Sequence, residues 1–363
     1  MSATLEGVDR ARAVERLTAL WALNEAGLGG LIHALRIPFT ALVVGSTAVV
    51  LIALIAYFSE RSARALVKAT IVVLLVKGAA SPHTPLPAYG AVALQGFAGA
   101  ALFSRLPLRV AAMALGLLAL LQGAVQKLIT MTIIYGRTLW EALDSFGRWL
   151  LDKMGGPTEQ LSPTVWFLTL YLGYYVLAGL VTGWLAGAIP SEIARALEQP
   201  RPRPAAGGAG GGEAAELPSL AHGRKRWWRR APFKAGVVLL ALLLSSMWLQ
   251  PGAGNWQRGL KVALRVLIVL GLWMGVVRPY GMKLLRRFRR REQAVYEADV
   301  ARALAEFPAL RRAAGQAWRQ SGTAGLRRWK VFLVELILLA LTGPAAGGGE
   351  PSAAVAEEGG GHG

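Results

Sequence analysis

The sequence predicts an all-α, polytopic helical membrane protein: a bundle of five or six helices, then a helical hairpin and cytosolic basic helices. Three observations carry that prediction. Of 363 residues, 54% are hydrophobic and only 17% charged, where a soluble domain carries roughly 25% charged residues. Apolar runs long enough to cross a bilayer recur along the chain. The 40 Lys and Arg outnumber the 21 Asp and Glu, a net charge of +19, and they cluster at the ends of those runs. This composition argues against a cytosolic enzyme. Cysteine is absent, which removes disulfide frameworks, thiolate metal sites and cysteine nucleophiles. Residues 1–16 mix Glu6, Asp9 and Glu15 with Arg10, Arg12 and Arg16 and hold no short apolar core before a cleavage site, so insertion is expected to rely on internal spans.

A bilayer core needs roughly 20 apolar residues per helix, with every backbone polar group satisfied inside the segment. Phe39 to Phe58 meets this without a charge, and Val110 to Gln126 and Val165 to Ile189 also qualify. Tyr89 to Phe103 is shorter, started by Pro87 and stopped by Arg105. In Ala63 to Gly78, Lys68 and Lys77 bracket a brief apolar run and are expected to snorkel to the two interfaces. Leu17 to Leu35 contains Asn24, Glu25 and His33; counting it as a span separates the six-helix reading from the five-helix one. Together these make residues 1–190 a membrane bundle.

Residues 191–234 read as a flexible linker, through the Pro- and Arg-rich 199–204, to a basic flank of Arg224, Lys225, Arg226, Arg229 and Arg230. A transmembrane hairpin follows over 235–280, with arms Ala235 to Leu249 and Val266 to Val277. Its second arm enters Lys283, Arg286, Arg287, Arg289, Arg290 and Arg291, so both flanks are assigned to the cytoplasm. Counting back places Arg61, Arg64, Arg105 and Arg109 inside, and the connection from Ser81 to Pro87 outside. The helix-like Leu139 to Met154 is expected on the outer surface. Residues 281–343 read as cytosolic basic helices, with a break or kink at Pro308 and a short apolar helix from Val331 to Leu341, docked or re-entrant. Residues 344–363 read as a disordered tail.

Ionisable and amide groups at membrane depth are costly and need a reason. Lys77, His83, Tyr89, Gln95, Gln122, Gln126 and Lys127 gather near one outer level. They either form a pocket for a small anionic or polar solute or, for the lysines, snorkel to water. Gly179, Gly183 and Gly187 make a flat helix face that fits either packing inside the bundle or docking of a separate membrane subunit. The basic run of the second half reads as a topology determinant and lipid-headgroup contact. Arg311, Arg312 and Arg319 offer direct contact with an acidic cytosolic partner. No groove-reading or base-stacking element accompanies these charges, so no nucleic-acid partner is expected. No phosphate loop or metal-ligand spacing is present, and no catalytic residue, metal or cofactor is expected.

The stretch Thr84-Pro-Leu-Pro-Ala-Tyr-Gly-Ala-Val-Ala-Leu-Gln-Gly-Phe-Ala-Gly resembles the Pro-then-Gln, glycine-rich helix of biotin-type S components, the substrate-binding subunits of energy-coupling-factor transporters. The helix count and the small-residue face extend the resemblance over the first half of the chain. It implies a six-helix bundle in a bacterial inner membrane with both ends cytoplasmic. It further implies an outward-facing vitamin-type site, and partnership with a membrane coupling subunit and an ATPase. The chain departs from that family in carrying a second half, where Ala301-Arg302-Ala303 is similar to the Ala-Arg-Gly signature of coupling subunits except at its third residue. The alternative is a non-transporting scaffold that recruits partners through its Arg-rich helices.

Overall fold

The computed structural model describes residues 9–28, 40–80, 84–154, 162–198, 255–322 and 326–343. They form ten α-helices and two π-turns. Helix α1, Arg10–Leu23, runs into a π-turn, Asn24–Leu28; α2 is Thr40–Phe58, α3 Ser62–Ala80, α4 Leu86–Phe103 and α5 Leu108–Tyr135. Helix α6 is Arg137–Lys153, α7 Pro163–Glu198 and α8 Asn255–Leu272; a π-turn, Trp273–Val277, joins α8 to α9, Arg278–Gln320, and α10 is Leu326–Thr342. Local chemistry sets several boundaries. Asp9 Oδ1 accepts from the amides of Ala11 and Arg12 to cap α1. Pro87 sits in the first turn of α4, where its missing N–H costs nothing. Gly136, at φ 70°, turns α5 into α6, a conformation only glycine takes without strain.

Three layers result. Helix α2 is the axis: Ala48 to Ile55 are each 3% exposed or less, as a helix apolar all round requires. Helices α1 and α3 pack on it. Four helical stretches are long and apolar enough to cross a membrane: α4, α5, α7, and the stretch beginning at Gly259 in α8. These also carry most of the exposed large apolar side chains, among them Phe97, Ile129, Leu170, Trp184 and Ile268. The opposite wall is α9 and α10, which cover α1 and α3.

Several expectations change. The Leu17 to Leu35 segment is an interior helix as far as it is described: Leu17 and Trp21 are 0% exposed, so α1 touches α2, α3, α9 and α10 and has no lipid-facing side. Arg16, also buried, donates to the carbonyls of Ala340, Leu341 and Gly343. A guanidinium thus caps the C-terminus of α10, where the helix dipole favours a cation. Of the two lysines of α3, Lys77 does not snorkel but meets Glu25 at 2.6 Å in the interior, whereas Lys68, its side chain 52% exposed, reaches the surface and pairs there with Asp299 at 3.0 Å. Helix α7 runs on past residue 190 to Glu198, through Pro190, so the linker begins later than expected. The rest of that linker, the first hairpin arm and the tail lie outside the described residues. Pro308 does not break α9; the non-helical residue is Tyr296, at φ −110° and ψ 15°. The short apolar helix at the end is docked, with Ile337 and Leu338 buried.

Helix α9 runs antiparallel to α3. Gly281 abuts Leu86, the Arg289 side chain lies 3.1 Å from where a Gly78 Cβ would stand, and Asp299 meets Lys68. The Lys283 to Arg291 run therefore lies beside the α3–α4 end of the bundle, and the assignment of these two regions to opposite membrane sides does not hold. Its cause is that the basic run does not leave the bundle at a membrane surface: the helix continues along α3.

Helices α5 and α7 form the closest seam. A Cβ on Gly179 would stand 2.9 Å from Leu117 Cα, one on Gly187 3.2 Å from Arg109 Cα, and one on Gly183 would collide with the Met113 backbone. Between helices in lipid, close packing replaces hydrophobic gain. Gly183→Leu is expected to cost about 1–3 kcal/mol through overpacking, read as a lower Tm in detergent. Gly173→Leu, where a Cβ has nothing within 4 Å, is expected to leave Tm unchanged.

Helix α6 has no buried residue and is tied to α7 by Asp144, whose Oδ1 accepts from Thr164 N at 2.9 Å and Ser162 Oγ at 3.1 Å. The Thr164 amide is the main cause holding the Asp144 carboxyl below its ordinary value of 3.8. A carboxylate lowered on folding adds stability that is present above its unfolded pKa and lost as pH falls through its folded one. Protection of the amides at the start of α7, taken relative to the intrinsic exchange rate at each pH, is therefore expected to fall below about pH 4, and Asp144→Asn to show the lowered protection already at neutral pH.

Candidate functional site

The π-turn after α1 places a carboxylate in the core. A π-turn inserts one extra residue into the helical repeat and re-aims the side chains it carries. Here Asn24 Nδ2 donates to the Val44 carbonyl of α2 at 3.1 Å, and the next residue, Glu25, meets Lys77 from α3 at 2.6 Å, both side chains 6% exposed. Such a charge-assisted bond is short and strong. The desolvation of both ions offsets much of that strength, so the pair holds the geometry more than it adds net stability.

Buried polar atoms without partners occur on α1, on its π-turn and on α4. Among the described residues, Asn24 Oδ1, Gln95 Oε1 and the Trp21 indole N–H are buried and make no hydrogen bond. Buried groups of this kind are uncommon and costly. Asn24 and Gln95 approach successive residues of α2: Asn24 bonds Val44, and Gln95 Nε2 lies 4.0 Å from where a Gly45 Cβ would stand.

Of the residues singled out by sequence, Lys77, Tyr89 and Gln95 are buried in this interior. The Tyr89 hydroxyl faces Thr84 and Arg289. Gln122 and Gln126 bond each other along α5 at 2.7 Å, and Lys127 is exposed on that helix. His83 lies outside the described residues. Gly179, Gly183 and Gly187 pack on α5 within the chain, the first of their two readings. Arg311, Arg312 and Arg319 are exposed on α9. Three residues absent from the sequence-based pocket belong to the site: Glu25, Asn24 and Trp21. Opposite charges at comparable depth were the available signal, since Glu25 is the acid within the first apolar stretch and Lys77 ends another. Among the described residues no group of three or more His, Asp or Glu is placed to hold a metal.

The chain matches no protein-family model, and comparison with curated proteins and with solved structures gives no match. The fold and site thus define a class: an all-α, multi-pass membrane protein with a buried ion pair in its core.

Removing one partner of that pair leaves a buried charge uncompensated. Lys77→Met and Glu25→Gln are each expected to destabilise by about 3–5 kcal/mol, while Glu25→Leu with Lys77→Met recovers most of the loss. Thermal unfolding in detergent reads all three.

Proposed function

We propose that the protein is a membrane transport component that binds a small polar or anionic solute at the Glu25, Lys77, Asn24 and Gln95 centre. The observation that carries the reading is the buried ion pair, with the neighbouring residue in sequence, Asn24, holding a buried amide oxygen that has no partner. Ionisable groups at membrane depth are retained where they serve a substrate or ion path, and a hydrogen-bonding solute supplies the partner that oxygen lacks. The resemblance of the Thr84 to Gly99 stretch to S components suggests a vitamin-type solute, with a separate coupling subunit and ATPase. No covalent chemistry is part of this reading. Arg16 joins the first described helix to the last at one end of the bundle. Arg61, Arg64, Arg105 and Arg109 at helix ends favour the cytoplasm of a bacterial inner membrane for that end, while Lys283 to Arg291 on α9, beside the other end, weigh against it.

The scaffold reading retains one supporting observation: Arg286, Arg287, Arg290, Arg311, Arg312 and Arg319 all stand exposed on α9. It predicts that charge reversal along α9 abolishes partner capture while substitutions at the ion pair leave capture intact.

Binding of radiolabelled vitamins and nucleobases to the full-length protein in nanodiscs tests the transport reading. At least one solute is expected to bind saturably, to lose binding in the folded Glu25→Leu/Lys77→Met variant, and to keep it in Lys127→Ala. Wild-type binding by the double variant sinks the proposed site.

A further inference from the structure

A second site lies at the other end of the core. Between α1, the α2–α3 turn, α3 and α9 opens a cleft of about 870 Å³, within the usual range for small-molecule sites. Lys68 on its wall is nine residues from Lys77, about 13 Å along α3, so the cleft is separate from the ion pair. Its lining carries more cations than acids, the acids being Glu15, Glu60, Asp299 and Glu306, with apolar side chains between them. Seven cations line it, but three are already occupied. Arg16 caps α10, Lys68 meets Asp299, and Arg302 contacts both Asp299 and Glu15.

Four guanidiniums are left. Arg10 has only Glu60, at 3.8 Å across an exposed gap, and Arg12 only Asp9, at 4.0 Å. Arg61 and Arg64 stand exposed at the head of α3. Loose exposed pairs of this kind contribute little, so these cations are available to a stronger anion. Guanidinium is the group that binds phosphate or carboxylate oxygens through paired N–H donors. Between them, Ala11, Val14, Ala65 and Ala305 form an accessible apolar floor, with Phe58, Ala69, Val72 and Ala303 buried behind it. Phe58 is 1% exposed and presents no open face for stacking a base, which disfavours a nucleotide.

We propose that this cleft binds an anionic amphiphile, its phosphate among Arg10, Arg12, Arg61 and Arg64 and its apolar tail against Val14, Ala65 and Ala305. The ligand class follows from the pairing of free guanidiniums with an apolar base, and the inference does not depend on the solute site. A phosphate headgroup reaches such a cleft either on a lipid or as a free ion, and the floor selects the lipid.

The test uses the full-length protein in phosphatidylcholine nanodiscs, with 16:0 lysophosphatidic acid as probe. Saturable binding is expected, weakened about tenfold or more in Arg61→Gln/Arg64→Gln through loss of two charge-assisted contacts, with Tm unchanged. Arg290→Gln/Arg291→Gln, on the outer face of α9, is expected to bind as wild type. The 16:0 monoacylglycerol is expected not to compete, and inorganic phosphate only at far higher concentration. Unchanged affinity in Arg61→Gln/Arg64→Gln overturns the site. An equal loss in the α9 control reduces it to general surface charge and overturns it too. Competition by phosphate as strong as by the lipid overturns the amphiphile, leaving a free-anion cleft, and equal competition by the monoacylglycerol removes the role of the charge.

Discussion

The arrangement of the core follows from where three buried or half-buried cations are neutralised. Lys77, on the second interior helix, must meet an anion, because an unpaired ammonium in an apolar interior costs several kcal/mol. Glu25 is the carboxylate it meets, and reaching it draws α1 and its π-turn inside the bundle. Lys68, on the same helix, meets Asp299, which draws α9 across the outside of α3. Arg16 is satisfied by the carbonyl end of α10, which docks the last helix on the first. Charge neutralisation thus fixes which elements neighbour one another, and apolar packing fills the space between.

This division explains why the protein has two unlike walls. The α4, α5, α7 and α8 side carries most of the exposed apolar residues, and its mid-helix cations Lys127 and Arg265 stay at the surface, Arg265 donating to the Ile133 carbonyl. The α5–α7 seam holds that side together through glycines that let backbones approach, the device available where both partners would otherwise be equally at home in lipid. On α9 the acid Asp299 is turned inward, 15% exposed, while Arg302 one turn on is 56% exposed. One helix therefore shields the lysine-bearing helix from lipid and offers its opposite face to water or headgroups.

The sequence was informative where a single helix carries its own boundaries. Phe39 to Phe58 appears as Thr40–Phe58, and Tyr89 to Phe103 as Leu86–Phe103, because prolines, serines and arginines at their ends are local signals. The site was half legible. Lys77 and Gln95 stood out by cost alone, but Glu25 looked like part of an ambiguous span, since its partner lies 52 residues away and periodicity reports nothing at that range. The path of α9 was illegible for the same reason: its contacts with Glu15 and Lys68 join residues more than 200 positions apart. Pro308 misled because a proline inside a helix removes one hydrogen bond without having to end the helix when flanking packing holds it. Here Phe307 and Leu310, on either side, are buried.

Arg302 is the residue on which the comparison with coupling subunits turns. In the sequence, Ala301-Arg302-Ala303 stands alone as a short motif on a helix expected to face the cytosol. In the fold, its guanidinium contacts Glu15 of α1 and Asp299 of its own helix, and Ala303 is buried against the core. A residue that grips a partner ATPase must offer free donors, and this one has placed its donors within the chain. Releasing them would strand Glu15 and Asp299 beside Lys68 alone. The motif therefore acts as a clamp between the halves, and contact with any partner falls to the outward arginines of α9, which have no such duty.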